Sequence, residues 1–203
     1  MALASSQLRP HSGRLSYNDL DPVKHREKAD FRRQVAWIPQ QVTPPPGLTG
    51  GEEFAYAGRL KGMPRSNAWQ ASERALDRVR LDELADRKSH PVSEGRLRRR
   101  GIAAALTHRS TLILRDEPTS GLDPRQRWIF PRLVEELTGD VQALVATHQT
   151  EDRYDLYSQV VVPDKATVRF QGTAAQFHEL ADHGESPRAH AGSAYAHLVG
   201  KEI

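Results

Sequence analysis

An acidic pair, Asp116-Glu117, closes a short apolar run, Leu112-Ile113-Leu114, and opens the string Asp116-Glu117-Pro118-Thr119-Ser120-Gly121-Leu122-Asp123-Pro124. Two carboxylates at the end of a strand are suited to hold Mg²⁺ and to polarise a water beside a nucleotide phosphate. A bare acidic pair is more often an ordinary strand-to-turn junction; the full string is far more specific. Three other stretches carry chemistry. Val35-Ala36-Trp37-Ile38-Pro39-Gln40 is an apolar run ending in a carboxamide, and by itself it is equally a strand ending in a turn. Val92-Ser93-Glu94-Gly95-Arg96 opens a helix-like segment. A Ser cap, free backbone amides and the positive end of a helix dipole make an anion site there, although Ser93 is equally an ordinary N-cap. Val145-Ala146-Thr147-His148 ends a strand on an imidazole, an arrangement that on its own is usually structural.

The elements that must position these residues follow from periodicity and punctuation. Ala2 to Leu8 reads as a helix end stopped by Pro10 and Gly13, and Gln34 to Ile38 as a strand closed by Pro39. Thr43-Pro44-Pro45-Pro46-Gly47 is a sharp linker. Between Glu52 and Arg87, apolar residues recur at three- and four-residue steps, broken at Gly62 and Pro64, which predicts a small helical lobe. A helix over Ser93–Thr107 follows, then strand Thr111–Leu114, helix Arg125–Leu137, strand Val141–Ala146, helix Thr150–Tyr157, strands near Val160–Val162 and Thr167–Phe170, and helix Ala174–Ala181. Strands alternating with helices predict a parallel sheet covered on both faces, hence an α/β fold. The polar, Ala/Gly-rich tail after His183 predicts partial disorder.

Composition narrows the function classes. The chain has 203 residues, 37% hydrophobic, no cysteine and a formal net charge of +3, with a mean hydropathy of −0.65. No run approaches the ~18 apolar residues needed to span a bilayer, and the N-terminal residues lack the pattern of a signal peptide. Without cysteine there are no disulfides or thiolate metal sites, which fits a reducing cytoplasm. Arg96, Arg98, Arg99 and Arg100 form the densest basic cluster. No aromatic residues interleave with it, so a solvated helix face is favoured over a nucleic-acid surface. There is no G-x-S-x-G elbow, no H-E-x-x-H and no G-x-G-x-x-G. His178 and His183 fall on different helix faces, against a zinc pair.

The string from Asp116 to Pro124 resembles the Walker B motif plus D-loop of ATP-binding cassette (ABC) ATPases, and the other stretches occur in that family's order. Val35 to Gln40 is similar to its Q-loop, Val92 to Leu106 to its signature motif and the helix it starts, and Val145 to His148 to its switch histidine. Pro44-Gly47-Leu48-Thr49, Leu60-Lys61-Gly62 and Leu84-Ala85-Asp86-Arg87 look like the helical lobe of export-type cassettes, and Phe170-Gln171-Gly172-Thr173 like the closing strand and turn. The resemblance implies a P-loop NTPase-like parallel sheet with an inserted ABC α-helical lobe, and ATP and Mg²⁺ as ligands. Asp116 and Gln40 would hold the metal, and Glu117 would act as general base. His148 would contact the γ-phosphate. Ser93 and Gly95 would cap a phosphate bound by the opposite subunit, with Asp123 facing that subunit. It implies a nucleotide-binding, ATP-hydrolysing subunit in a head-to-tail homo- or heterodimer. That subunit would be cytoplasmic, peripheral on the inner face of the plasma membrane, coupled to a separate permease and without a nucleic-acid partner.

The family's phosphate loop, G-x-x-x-x-G-K-[ST], does not occur in these residues. Leu8 to Leu15 looks like the segment after the Walker A helix, which would put the phosphate-loop lysine about four residues before Met1. The expected organisation is a core remnant and Q-loop (1–46), the helical lobe (47–92), a signature, Walker B, D-loop and H-loop core (93–182) and a tail (183–203). By this alignment the chain is N-terminally truncated relative to the family, lacks a central strand and folds poorly alone. Two departures bear on catalysis. Glu94 stands where the family has a signature glycine, and Arg115 where it has an apolar residue. The alternative reading is a non-catalytic ABC-like partner or remnant unable to bind ATP by itself. A cassette protein of translation or DNA repair would need paired cassettes or a long coiled-coil insertion, and neither is present.

Overall fold

Three apolar runs pair side by side in chain order as one parallel sheet: β1 (Val35–Ile38), β2 (Leu112–Asp116) and β3 (Gln142–Ala146). The register aligns Ile38 with Arg115 and Asp116 with Ala146. In this computed structural model the described residues are 1–88, 93–118, 135–136, 141–148, 157–181 and 187–199, without the side chains of Glu94 and of 187–190. By internal packing the chain divides into two units: Met1–Ser120 with Leu133–Ala146, and Gly121–Arg132 with Thr147–Ile203. The expected helices over 125–137 and 150–157 fall largely outside the described residues. Among the described residues no helix is long and apolar enough to cross a membrane.

In the first unit the sheet is covered on two faces. On one, Val35 and Leu114 pack with Phe31 of α1 (His25–Gln34) and with Leu15, Tyr17 and Leu20. The N-terminal turn is that of a helix C-terminus: Ser6 N–H donates to Leu3 O (2.9 Å), Gln7 N–H to Ala2 O (3.0 Å), and Ser6 has φ +60°. This Schellman pattern satisfies carbonyls that a helix end would otherwise orphan. On the other face α4 (Glu94–Thr107) crosses β1 so closely that a Cβ on Gly101 would lie 2.8 Å from Ile38 Cγ2. β3 is one of the two outer strands. Among the described residues it pairs only with β2, and Leu144 is 48% exposed.

The lobe consists of α2 (Gly50–Leu60), α3 (Arg65–Arg78) and a 3-10 turn (Asp82–Leu84) packed with α4. Thr49 and Glu52 form a capping box that starts α2 by satisfying two otherwise unpaired amides. A Cβ on Gly50 would sit 2.6 Å from Leu84 O, so only glycine allows that approach. Phe54, Ala68, Leu76, Val79 and Leu81 are buried. So are two charges: Arg100 of α4 is 1% exposed and Glu53 of α2 is 8% exposed. Arg100 Nη2 donates to Glu53 Oε2, and its guanidinium lies 5.8 Å from the centroid of the Phe54 ring. The arginine cluster is therefore not the solvated face expected from sequence. Arg99 Nη1 donates to Val79 O at 3.4 Å, and Arg96 pairs with Glu83 at 3.0 Å.

The second unit is built on an antiparallel hairpin, β4 (Gln159–Asp164) and β5 (Thr167–Thr173), covered by α5 (Ala174–His178) and α6 (Pro187–Val199). Val160, Val162, Phe177, Ala191 and Ala194 form its core, with the Phe170 and Phe177 rings 5.4 Å apart. The segment after His183, expected to be a partly disordered tail, contains α6. Its small alanines allow close packing but carry too little apolar bulk to signal a buried helix in the sequence.

Two predictions follow from the buried charges. Glu53→Gln removes the carboxylate that meets the buried Arg100 guanidinium and is expected to cost roughly 3–5 kcal/mol in chemical denaturation. Replacing both residues by apolar ones of similar volume should recover most of that. His108, at the end of α4, is held down to about pH 4 by burial and then by the Lys61 charge, against the opposing hydrogen bond to Ala104 O. Its folded pKa lies below the unfolded value of 6.5, so between those values the unfolded chain binds more protons. Stability is then complete above about pH 6.5 and falls towards pH 4, by an amount on the order of 3 kcal/mol from this group. His108→Gln should flatten that part of the stability–pH curve.

Candidate functional site

Strand ends in a parallel sheet collect side chains at one edge, and ligands of α/β folds bind outside the carboxyl ends. β2 delivers Asp116 as its last residue, with Glu117 next; both are half-buried. β1 runs parallel in register, so Gln40, just past Ile38, leaves the same end of the sheet and is exposed. Glu117 has φ +46°, a left-handed conformation that non-glycine residues seldom adopt. Its N–H donates to Ala146 O at 2.8 Å, continuing the β2–β3 ladder one residue beyond the strand, and its Oε2 is shut off from solvent. Backbone strain of this kind, about 1–3 kcal/mol, tends to be found at functional positions.

α4 places Ser93 and Gly95 at its N-terminus, both exposed. Ser93 occupies the N-cap position and its carbonyl accepts from Leu97 N–H at 3.0 Å, but its hydroxyl makes no capping hydrogen bond. The expected Ser cap is thus present in backbone only. A Cβ on Gly95 would meet nothing within 4 Å, so packing does not require glycine there and the backbone is open to approach. Arg98 Nη1 donates to Pro118 O, which ties the helix to the residue after the acidic pair. That link was not legible in the sequence, where Arg98 was one of four similar arginines. Arg115 is 4% exposed, so the charge in the strand before Asp116 is buried, a placement that is costly unless compensated.

The structure brings Gln40, Asp116 and Glu117 to one end of the sheet. His148 follows β3, is exposed and belongs to the second unit. Asp123 lies outside the described residues. The donor set suits a hard divalent ion. Among the described residues no group of three or more His, Asp or Glu gathers to form a closed cage. One carboxylate and one carboxamide oxygen at a strand end fit Mg²⁺, which favours oxygen ligands and takes others from water and substrate phosphate.

Residues 1–120 match the family described as ABC transporter. The chain is 30% identical over 146 residues to an uncharacterized ABC transporter ATP-binding protein, YxlF, of Bacillus subtilis, covering 72% of this chain and 50% of that protein. It is 30% identical over 170 residues to the linearmycin resistance ATP-binding protein LnrL of the same organism, covering 83% and 54%. The arginine transport ATP-binding protein ArtP of Escherichia coli is 32% identical over 177 residues, covering 84% and 73%. The chain thus spans about half the length of the two Bacillus relatives. In fold it matches CbiO1 of Clostridium perfringens, part of the ABC transporter complex CbiONQ, with a TM-score of 0.74 and 21% identity over 86% of this chain and 71% of that one.

The left-handed turn at Glu117 yields a stability prediction. Glu117→Gly should be more stable than Glu117→Ala by about 1 kcal/mol, because only glycine adopts this backbone without penalty. Equal denaturation midpoints for the two variants would show that the turn is not strained.

Proposed function

This chain belongs to the ABC transporter family of ATP-binding proteins, and from that we propose that it is part of a subunit that couples ATP binding and hydrolysis to transport by a separate membrane permease. The observation that carries the reading is the convergence of Gln40, Asp116 and Glu117 at the carboxyl ends of adjacent parallel strands. Asp116 and Gln40 would hold Mg²⁺ through oxygen atoms. When bound, the ion neutralises phosphate charge and helps to orient the triphosphate. Glu117 accepts the proton of the attacking water and fixes its direction. The left-handed backbone at Glu117 sets that residue apart from the strand that ends on Asp116, in keeping with separate roles for the two acids. The α4 N-terminus, with Ser93, the open backbone at Gly95 and the positive end of the dipole, favours a phosphate oxygen presented by a second subunit. By the family resemblance, His148 would contact the γ-phosphate and Asp123 would face the other subunit. A cytoplasmic position, docked on the inner face of the plasma membrane through the permease, goes with this role.

Glu94, standing in place of a signature glycine, and Arg115, whose buried charge comes one residue before Asp116, are the features that speak for a non-catalytic partner instead. One experiment separates the two readings. The native protein is isolated with its permease, its N-terminus is fixed by intact mass and peptide mapping, and ATP turnover is measured for wild type and Glu117→Gln. A catalytic subunit turns over ATP, and Glu117→Gln lowers kcat by about a hundredfold or more while nucleotide binding persists. A native protein that binds no nucleotide overturns the catalytic reading.

A further inference from the structure

The first unit contains two adjoining hollows, one beside α1 and one running along β1. One, of about 400 Å³, is lined by His25, Lys28, Arg32, Arg33 and Lys61, with no carboxylate among its lining residues. The other, of about 420 Å³, is walled by the small residues Ala36, Ala57, Gly101, Ala104 and Ala105, with Trp37 and His108 also lining it. Arg32, Leu60 and Lys61 line both. Their volumes fall in the range of small-molecule sites, about 300–1,000 Å³.

The cationic hollow is built rather than incidental. Lys61 Nζ is fixed by donating to Arg32 O at 2.6 Å and Val35 O at 2.9 Å, and Arg32 is fixed on Ser6 through Nε at 2.8 Å. Burial and then the neighbouring Arg32 charge push the Lys61 ammonium below its usual pKa, so positive charge here lacks full compensation. On the same helix Asp30 is paired with Arg33 and Glu27 with Lys24. Among the described residues Lys28 makes no ion pair. The apolar hollow has a polar feature of its own. His108 is neutral near pH 7 and its Nδ1 lies 3.2 Å from Ala104 O. Nδ1 therefore carries the hydrogen, and the buried Nε2, without a hydrogen-bond partner, is an acceptor.

We propose that the paired hollows bind a small amphipathic anion, with a phosphate or carboxylate head against Lys28, Arg33 and Lys61 and an apolar body between Ala57, Ala104 and Trp37. Charge-assisted hydrogen bonds recognise the head, and burial of the body adds affinity that an inorganic anion cannot gain. The site is separate from the strand ends that carry Asp116 and Glu117 and does not depend on the nucleotide reading.

The test uses the full chain and isothermal titration with three probes: octyl phosphate below its micellar concentration, inorganic phosphate and octanol. Octyl phosphate is expected to bind with one-to-one stoichiometry, at least about tenfold more tightly than either of the others. Lys28→Glu, a change at the rim, should weaken it about fivefold or more with the thermal midpoint retained. Ala104→Leu, which fills the hollow, should weaken octyl phosphate and leave inorganic phosphate unchanged, whereas Glu117→Gln should alter neither. Equal affinity for inorganic phosphate would reduce the site to a bare anion patch, and equal affinity for octanol would reduce it to an apolar cavity. Either result, or absence of binding, or indifference to Lys28→Glu, overturns the proposal.

Discussion

The buried contact between Arg100 and Glu53 is the constraint on which the rest of the first unit depends. A guanidinium enclosed in protein needs an acidic partner and further polar or aromatic contacts to offset its lost hydration. That requirement fixes the rotation of α4 about its own axis against α2. The next residue, Gly101, then faces Ile38 at a distance that no side chain could tolerate, so the same helix is seated on the sheet as well as on the lobe. Once α4 is held on both sides, its other arginines have determined addresses: Arg96 at Glu83, Arg98 at Pro118 O, and Arg99 at Val79 O. The helix N-terminus at Ser93 and the turn after Glu117 are thereby connected through one rigid element. Breaking a buried pair removes several kcal/mol, a large share of the ~5–15 kcal/mol by which domains are stable.

What could be read from the sequence was whatever depends on local pattern. β1, β2 and β3 announce themselves as short apolar runs, and the break at Gly62 and Pro64 separates α2 from α3 as periodicity indicates. The parallel sheet itself follows from the alternation of elements. α1 left no such trace: HREKADFRRQ buries only Phe31, so there is no apolar stripe to recognise. The arginine cluster failed for the opposite reason. Its residues were conspicuous, but composition cannot reveal that Arg100 meets an acid 47 positions away. The candidate site divides along the same line. The identities of Gln40, Asp116 and Glu117 were legible because motif order carries them. The left-handed backbone at Glu117 and the hold of Arg98 on Pro118 were not, since both arise from tertiary packing.

The two units also differ in how they secure their geometry. The first relies on charges placed inside apolar surroundings and on glycines at close approaches. The second relies on a hairpin, a capping box at Thr173 and Gln176, and a compact apolar cluster around Phe177. Its hairpin turns through Lys165 and Ala166, both at positive φ, where glycine or asparagine would be the easier choice. Register is held all the same by the Arg169–Asp164 contact at 3.3 Å and by the inward side chains of β4.

The outer strand β3 has a consequence for what this sheet can pair with. β3 presents Ala143, Leu144 and Val145 on an edge that, among the described residues, meets no further strand. Such an edge is a template for any extended chain that comes near it, so a strand laid along β3 would lengthen the sheet by one and cover Leu144.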